Sequence, residues 1–389
     1  MLLLEYSITY PKKHLVLKKI LFILHLPPPV HGSAVVGQNI KNSRAVNESF
    51  DCNYVNLNTS HSIDEIGKNP FIKISRYIKI VFQILKHLIT NKPYLCYLAI
   101  TAKGMGFYKD AMIALLVKLF NVKLVFHFHN KGVYSQQHKK INHFFYNMVF
   151  RNTDAIILSR LLYSDIERYF SLDRVYICPN GIEYSEIANS AYINEKNIYS
   201  SELKNELLFV SNLIESKGVL LLLDACKIIK DKNLSFHCTL IGAEGDVSAD
   251  QLQKKIIELE LDEHVTYVGR KYGKEKEAFF ANSTIFVFPT YYHNETFGLV
   301  NVEAMQHYLP VISTFEGGIP DVIENGVTGI LVPQKNVIAL ADAIETLINN
   351  SQLRESMGKA GRKKYEQEFT MAKFEESLIN TLNQITLIT

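Results

Sequence analysis

Two carboxylates eight positions apart, Glu295 and Glu303, lie on either side of a predicted helix start. An apolar strand ends at Pro289, a polar loop carries Glu295, and the following helix carries Glu303 about one turn in. Backbone N–H groups of residues 298–300, at the helix start, lack intrahelical partners and can bind an oxygen-rich ligand. Carboxylates accept hydrogen bonds from vicinal hydroxyls, so the pattern favours a hydroxyl-rich ligand. The alternative is a helix whose N-terminal acidic residues only oppose its dipole.

Two further groups of residues that could do chemistry also follow predicted strands. Gly32 and Ser33 come after an apolar run, residues 15–26, that ends in three prolines, and Ser33 is a predicted helix N-cap. His127 and His129 end another strand, where alternation places both side chains on one face. A metal site is an alternative use of this pair, but no third ligand lies nearby in sequence.

The elements that must position these residues alternate between strand and helix. In the first half, strands are predicted at residues 15–26, 95–101, 123–128, 155–158 and 175–178. In the second half, strands are predicted at residues 207–210, 236–241, 265–268, 285–289, 311–313 and 329–332, and helices at 218–230, 250–260, 274–282, 300–307, 337–349 and 351–374. This rhythm predicts two α/β domains with mostly parallel sheets, whose ligands bind beyond the carboxyl ends of the strands.

A polar stretch without apolar periodicity, residues 183–206, is predicted to link the two domains. We therefore expect a first domain at residues 14–184, a linker at 185–206 and a second domain at 207–370. Residues 1–13 are interpreted as a loose extension, because their apolar run is short and no small-residue cleavage site follows it. Without a signal peptide, the expected location is the cytoplasm.

The charge is divided unevenly along the 389 residues. Residues 1–150 hold 19 basic and 6 acidic side chains, a net +13, whereas the remainder holds 23 and 33, a net −10. Residues 69–90 form a predicted amphipathic helix with Lys73 and Lys79 among its basic residues. Such a basic half fits an anionic membrane surface, and residues 69–90 could contact it peripherally. The alternative is an ordinary surface helix and lysines that only solvate the protein.

Several protein classes find no support in the sequence. The five cysteines include no CxxC pair, which argues against a disulfide framework and a thiolate zinc site. No run of 18 apolar residues predicts a transmembrane helix. No GxGxxG follows the first strand, and no zinc spacing or aromatic–basic interleaving indicates a nucleic-acid partner. The Asp-x-Asp motif, which holds a metal in many nucleotide-sugar enzymes, is also absent.

Taken in order, the motifs resemble those of the retaining glycosyltransferases of family 4. The pair Glu295 and Glu303, followed by EAM, LPVI and GGIPDVI, is similar to the most informative motif of that family. Residues 207–225 (LLFVSNLIESKGVLLLLDA), 177–183 (ICPNGIE) and 27–33 (PPPVHGS) resemble three more of its segments. The resemblance implies the GT-B fold, with two Rossmann-like domains facing each other across a cleft. It also implies a C-terminal helix, residues 371–389, that returns to the first domain.

The resemblance implies roles for individual residues toward a nucleotide-sugar donor. Glu303 would hydrogen-bond the ribose hydroxyls, and Glu295 the hydroxyls of the transferred sugar. Lys217 would neutralise charge growing on the leaving diphosphate, which Gly32 and Ser33 would approach from the other domain. The N–H groups implied to meet sugar and diphosphate oxygens belong to Phe297, Gly298, Leu299 and Val300.

The sequence departs from the family pattern in two places. Asn212 stands where the family commonly has an Arg, so either one cation is missing or Arg270 or Lys271 supplies it. His307 and Tyr308 occupy the turn where the family usually has a Gly, which puts a left-handed helix cap in doubt.

The function implied is transfer of a sugar, with retention, from a nucleotide-diphosphate sugar to a glycan or polyprenyl-diphosphate-linked acceptor. A UDP- or GDP-sugar is the expected donor, and no tightly bound cofactor or metal is expected. His129 matches the family's histidine near donor sugar and acceptor, and with Lys217 and Glu295 it forms the expected catalytic set. The implied process is bacterial-type surface polysaccharide assembly. A nucleotide-sugar epimerase of the same fold and a non-catalytic nucleotide-binding scaffold are the alternatives.

Overall fold

The computed structural model describes residues 17–28, 32–59, 70–188 and 205–387, which contain two parallel sheets of six strands. The first sheet consists of β1 Lys19–Leu24, β2 Asp51–Asn56, β3 Leu95–Ile100, β4 Lys123–Phe128, β5 Asp154–Ile157 and β6 Val175–Ile177, in the order β2-β1-β3-β4-β5-β6. The second consists of β7 Glu206–Val210, β8 His237–Ile241, β9 Val265–Tyr267, β10 Ile285–Val287, β11 Val311–Thr314 and β12 Gly329–Val332, in the order β12-β11-β10-β7-β8-β9. The predicted α/β class with two Rossmann-like sheets is confirmed.

Helices connect the strands and cover both faces of each sheet. Those of the first half are α1 Gly32–Asn42, α2 Arg44–Ser49, α3 Pro70–Thr90, α4 Gly104–Leu119, α5 Val133–Gln136, α6 Lys140–Phe150 and α7 Tyr163–Ile166. Those of the second half are α8 Val219–Asp231, α9 Ala249–Glu258, α10 Gly273–Ala281, α11 Leu299–Gln306, α12 Ile319–Val322, α13 Val337–Asn349, α14 Ser351–Lys364 and α15 Met371–Leu387. The described residues also include three 3₁₀ turns, Arg160–Leu162, Leu172–Arg174 and Glu215–Lys217, and one π-helical turn, Tyr365–Phe369.

The central strands are apolar because helices bury them on both faces, as parallel sheets require. In β1 (KILFIL) every residue after Lys19 is buried. Helices α3, α4 and α6 pack against one face of the first sheet. Helices α1, α2 and α15 pack against the other face, around Phe22 and Tyr97.

The last helix, α15, belongs to the core of the first sheet although it follows the second sheet in sequence. Phe374, Leu378 and Leu382 are buried beside β1 and β3. Near its end, Lys18 Nζ donates a hydrogen bond to Thr386 Oγ1 at 3.0 Å. The C-terminal helix therefore packs on the first sheet, as the resemblance implied.

The sequence analysis erred at three elements. It predicted one helix over residues 351–374, but the backbone is extended at Thr370, which forms a bridge with Ile182. Met371 N donates to Ile182 O at 3.0 Å, so this break is where the chain returns to the first sheet. It missed the edge strand β2 (DCNYVN), in which only Val55 is buried. Helix α1 already begins at Gly32, so Ser33 lies in its first turn and is not its N-cap.

The domain boundaries remain predictions. Residues 1–13 and most of the predicted linker lie outside the described residues. Among the described helices, none combines the length and apolarity needed to cross a bilayer.

Candidate active site

A pocket of about 330 Å³ lies between the carboxyl ends of the two sheets, where ligands of doubly wound folds bind. The structure brings together there nine residues that the sequence predicted: Gly32, Ser33, His129, Lys217, Glu295, Phe297, Gly298, Leu299 and Val300. Five more residues complete its lining: Asn180, Ser211, Phe288, Asn294 and Thr296. Both sheets therefore contribute to one cleft.

An ion pair between Lys217 and Glu295 lies in this pocket. Lys217 Nζ donates to Glu295 Oε2, and only 16% and 12% of the two side chains are exposed. The ammonium also lies 4.5 Å from the centre of the Tyr292 ring and 5.5 Å from that of Phe288. Low exposure weakens solvent screening, so a cation held here interacts strongly with a ligand's negative charge.

The second oxygen of Glu295 accepts a hydrogen bond from the backbone N–H of Gly298 at 3.1 Å. Of the four N–H groups predicted to meet a ligand, that of Gly298 is thus engaged within the chain. Gly298 has a φ of 68°, and a Cβ there would lie 2.6 Å from Asn301 Nδ2. A side chain would be both strained and obstructed, so glycine fits this turn before α11.

Glu303 lies on α11 but lines an adjoining pocket of about 230 Å³. Its Oε2 accepts a hydrogen bond from Lys276 Nζ of α10 at 2.7 Å. Leu299 borders both pockets, so the two pockets adjoin each other. Glu295 lines the larger pocket and Glu303 the smaller one.

Three side-chain contacts hold the two halves together beside the larger pocket. The Thr296 hydroxyl donates to the backbone oxygen of His129 at 3.0 Å. The Ser159 hydroxyl donates to Asp321 Oδ2 at 2.5 Å. Lys131 forms an ion pair with Glu316, which also accepts from Gln334. We name these three contacts between the two halves of the chain the interdomain seam.

His127, in β4, and His129, just after it, occupy different environments. His129 lines the pocket, whereas His127 is fully buried and hydrogen-bonded to the hydroxyl of Tyr97. Burial, and secondarily the neighbouring His129, lowers the pKa of His127 well below its ordinary value. His127 is therefore a neutral core residue.

Three predicted site residues line neither of these two pockets: Asn212, Arg270 and Lys271. The guanidinium of Arg270 lies 5.5 Å from the centre of the Tyr272 ring, and Lys271 pairs with Glu275 one turn along α10. Both cations are thus engaged by close sequence neighbours, and neither occupies the place of the missing arginine in this structure.

Sequence reasoning passed over Asn180 and Ser211 as site residues. Asn180 belongs to the ICPNGIE segment and is only 4% exposed, and its Oδ1 has no hydrogen-bond partner among the described residues. Ser211 directly follows β7, so the rule that ligands bind at carboxyl strand ends would have found it. Asn294 Oδ1, beside Glu295, also lacks a partner in the part of the chain described.

The helix cap at the end of α11 keeps its left-handed form without glycine. Tyr308 has a φ of 59°, and Leu309 N donates to Ala304 O at 3.1 Å. The Tyr308 ring lies 5.1 Å from the guanidinium carbon of Arg362. Packing against Arg362 therefore accompanies a conformation that tyrosine rarely adopts.

Comparisons with known proteins find glycosyltransferases of similar sequence. The model of the family "Glycosyl transferases group 1" matches residues 193–364. The capsular polysaccharide biosynthesis glycosyltransferase CapM of Staphylococcus aureus is 33% identical over 208 residues, which are 52% of this chain and 53% of CapM. The amylovoran biosynthesis glycosyltransferase AmsK of Erwinia amylovora is 34% identical over 167 residues, 42% of this chain and 40% of AmsK. The chain thus spans about half the length of the curated relatives it matches.

Solved structures agree on the fold over nearly the whole chain. Sucrose-phosphate synthase from Thermosynechococcus elongatus superposes with a TM-score of 0.73 at 20% identity, covering 96% of this chain and 100% of that one. Anabaena Alr3699/HepE, in complex with UDP and glucose, superposes with a TM-score of 0.68 at 18% identity, covering 94% and 99%. Residues 193–364 of this chain are therefore similar to the group 1 glycosyltransferases, and the chain has the GT-B fold.

Proposed function

We propose that this protein is a retaining glycosyltransferase that moves a sugar from a nucleotide-diphosphate sugar to a glycan or polyprenyl-diphosphate-linked acceptor. The observation that carries the proposal is the Lys217–Glu295 pair, held in a cleft to which both sheets contribute. A cation and a carboxylate side by side suit the two ends of such a donor, since the diphosphate is anionic and the sugar rich in hydroxyls.

In the proposed reaction, the bond between the anomeric carbon and a diphosphate oxygen breaks, and the nucleoside diphosphate leaves. The acceptor hydroxyl bonds to the same face of the anomeric carbon, and its proton passes to a diphosphate oxygen. The protein positions the reactants and stabilises the charge on the leaving group, without a protein nucleophile or a metal. Lys217 and the first-turn N–H groups of α11 would stabilise that charge. Glu295 and His129 would hold the sugar.

The relatives' names support a role in surface polysaccharide assembly. CapM is named for capsular polysaccharide and AmsK for amylovoran biosynthesis. We propose that the acceptor for this chain is a growing glycan on a lipid carrier at the inner face of a membrane. The charge of +13 in residues 1–150 fits a first domain that meets an anionic surface.

Helix α3 supplies the proposed membrane contact. Phe71, Ile74 and Phe82 are 85%, 56% and 65% exposed, and Lys73 and Lys79 lie among them. Neighbouring helices α4 and α6 add exposed apolar residues, namely Met105, Met112, Ile141 and Phe144. We name these exposed residues of α3, α4 and α6 the amphipathic face. Apolar side chains interleaved with lysines are typical of helices that lie in a bilayer interface.

A transfer assay tests the proposed function. The purified protein is incubated with radiolabelled UDP- or GDP-sugars and a bacterial lipid extract, with and without EDTA. We expect label in the lipid fraction regardless of EDTA, and a rate about a hundredfold lower for Lys217→Ala. Lys227→Ala, which removes a lysine outside the cleft, serves as the matched control and keeps the wild-type rate.

Three other outcomes contradict the proposed function or its mechanism. A changed free nucleotide sugar with no labelled acceptor would identify an epimerase. Binding of nucleotide with neither product would identify a non-catalytic scaffold. A rate abolished by EDTA and restored by a divalent cation would overturn the metal-independent mechanism.

A further inference from the structure

A single carboxylate, that of Asp165 on α7, holds the loop that brings His129 to the larger pocket. This loop, residues 129–132, joins β4 to the short helix α5, and we name it the β4–α5 loop. Asp165 accepts hydrogen bonds from three consecutive backbone N–H groups, those of Gly132, Val133 and Tyr134. Its Oδ2 lies 2.8 Å from Gly132 N and 3.1 Å from Val133 N, and its Oδ1 lies 3.1 Å from Tyr134 N. Asp165 lines neither of the two pockets described above, so its carboxylate acts on the loop and not on a ligand.

The three N–H groups that Asp165 accepts lie where α5 begins, and a helix leaves its first donors without backbone partners. A carboxylate that accepts from them makes charge-assisted hydrogen bonds, which are stronger than those between neutral groups. Asp165 lies 31 to 33 positions further along the chain than these donors. It therefore fixes the loop against a different helix, and the hydrogen bonds are not a local feature of the turn.

The other side chains of the β4–α5 loop are directed to partners outside the larger pocket. Asn130 Oδ1 accepts from Ala102 N at 2.8 Å, which ties the loop to the segment after β3. Lys131 pairs with Glu316 in the interdomain seam. Of the four residues of this loop, all of which the structure describes, His129 alone lines the larger pocket. The loop therefore contributes one side chain to the site, the His129 ring.

Resting on the function proposed above, we propose that Asp165 is a positioning residue for sugar transfer: its carboxylate fixes the β4–α5 loop, and through the loop the His129 ring, at the transferred sugar. The first N–H that Asp165 holds, that of Gly132, is only three residues after His129. A shift of that N–H is therefore passed to the ring through a short segment. A displacement of about 1 Å in an active site can lower a rate about a hundredfold, so Asp165 affects the rate without contacting the substrate.

A double-mutant cycle tests whether Asp165 acts through His129. The kcat of sugar transfer is measured for wild type, Asp165→Ala, His129→Ala and the double variant. We expect Asp165→Ala to lower kcat about tenfold. In the His129→Ala background the same substitution should lower kcat less than about twofold, because the ring that it positions is gone. Asp165→Asn keeps one side-chain oxygen that can accept from the Gly132 and Val133 N–H groups, so its kcat should lie between those of wild type and Asp165→Ala.

The ring resonance of His129 provides a readout that does not need activity. The protein is labelled with ¹³C at Cε1 of histidine, and His129→Ala identifies the signal of His129 in the NMR spectrum. We expect this signal to shift in Asp165→Ala and to stay close to its wild-type position in Asp165→Asn. Asn350→Ala is the control, because it removes a side chain that accepts Leu353 N at 2.9 Å at the start of α14 and lines neither pocket. It should lower stability and leave both the signal and kcat unchanged.

A purely structural role for Asp165 gives different results. An equal fold-loss of kcat in both backgrounds would overturn the inference, and so would an unchanged His129 signal in Asp165→Ala. If Asp165→Ala does not fold, Asp165→Asn replaces it in the cycle and in the NMR comparison and decides alone. An active wild type whose kcat does not change in either Asp165 variant would overturn the inference and leave the proposed transferase standing. A wild type that transfers no sugar would overturn both.

Discussion

Lys217 and Glu295 are 78 positions apart in sequence, yet their side chains form an ion pair in the cleft. Lys217 ends the 3₁₀ turn before α8, and Glu295 lies in the loop before α11, so each is fixed next to a helix start. Gly218, with a φ of 91°, joins Lys217 to α8, and a Cβ there would lie 2.3 Å from Pro289 O. The pair is thus set in place by two loops that pack against each other.

Removing only the cation should reduce both stability and turnover. Lys217→Met leaves the Glu295 carboxylate largely buried without its partner, and breaking such a pair costs about 3–5 kcal/mol. We expect the midpoint of urea unfolding to fall and the rate of sugar transfer to fall about a hundredfold, as for Lys217→Ala. The double variant with Glu295→Gln should recover most of the stability but should not recover the rate of sugar transfer. Equal stability of the single and double variants would show that the pair does not couple the two loops.

The sequence predicted the site better where a residue's role is local than where it depends on the other half of the chain. Glu295, Gly298 and Lys217 lie at helix starts that apolar periodicity and glycines mark, and the structure places them in one pocket. Nothing in the local pattern predicts that Lys131 pairs with Glu316, because the two lie in loops that follow strands of different sheets. The break at Thr370 was missed for the same reason, since it serves a bridge to Ile182.

The interdomain seam should hold the cleft closed. The double variant Lys131→Met and Ser159→Ala removes a largely buried ion pair and a 2.5 Å hydrogen bond across it. We expect a larger radius of gyration in small-angle X-ray scattering and weaker donor binding, since the binding-competent form is less populated. Lys140→Met, which removes an exposed lysine on α6, is the control. An unchanged radius of gyration would mean that the seam does not set the domain arrangement.

Gly317 should be required for the position of Glu295. Its φ is 55°, and a Cβ would lie 2.3 Å from the backbone oxygen of Glu295. Gly317→Ala should therefore destabilise the protein by more than the roughly 1–2 kcal/mol of a left-handed alanine and lower the transfer rate. Gly326→Ala is a matched control, because its φ is 81° but nothing lies within 4 Å of the added Cβ. If both variants lose the same stability and neither loses activity, the contact with Glu295 is unimportant.

Asp110 should make the protein less stable as the pH rises. This buried carboxyl accepts the Thr101 N–H at 2.8 Å, and burial raises its pKa from 3.8 to about 6. Between those values the folded state binds the proton more tightly than the unfolded state, so stability is higher at low pH and falls until about pH 6. Asp110→Asn removes the ionisation. It should stabilise the protein by up to about 3 kcal/mol at pH 7.5 and by almost nothing at pH 4.

Urea unfolding at the two pH values measures this difference. Other carboxyl groups also change the stability of the wild type with pH, so the comparison is between the variant and wild type at each pH. A gain for Asp110→Asn that is equal at pH 4 and pH 7.5 would contradict the assignment, because it would not depend on ionisation.

The amphipathic face should bind anionic bilayers through both its lysines and its apolar side chains. Lys73→Glu with Lys79→Glu reverses two charges on α3, and each basic residue near an anionic surface contributes about 1 kcal/mol. We expect recovery with anionic vesicles in a flotation assay to fall sharply for this variant. Recovery of the wild type should also decrease as salt is raised, because salt screens the attraction. Replacing Phe71 and Phe82 by Ser should weaken binding at every salt concentration, because both rings are mostly exposed in the free protein.

The matched control makes the same charge change elsewhere. Lys254 and Lys363 are exposed on α9 and α14, which belong to the second half of the chain, and their replacement by Glu should leave flotation unchanged. If the α3 variant and the control lose binding equally, only total charge matters and α3 is an ordinary surface helix. If neither salt nor the α3 substitutions change recovery, the protein does not reach its acceptor through this face. If only the α3 variants lose vesicle binding, the bilayer contacts the helices that cover the first sheet.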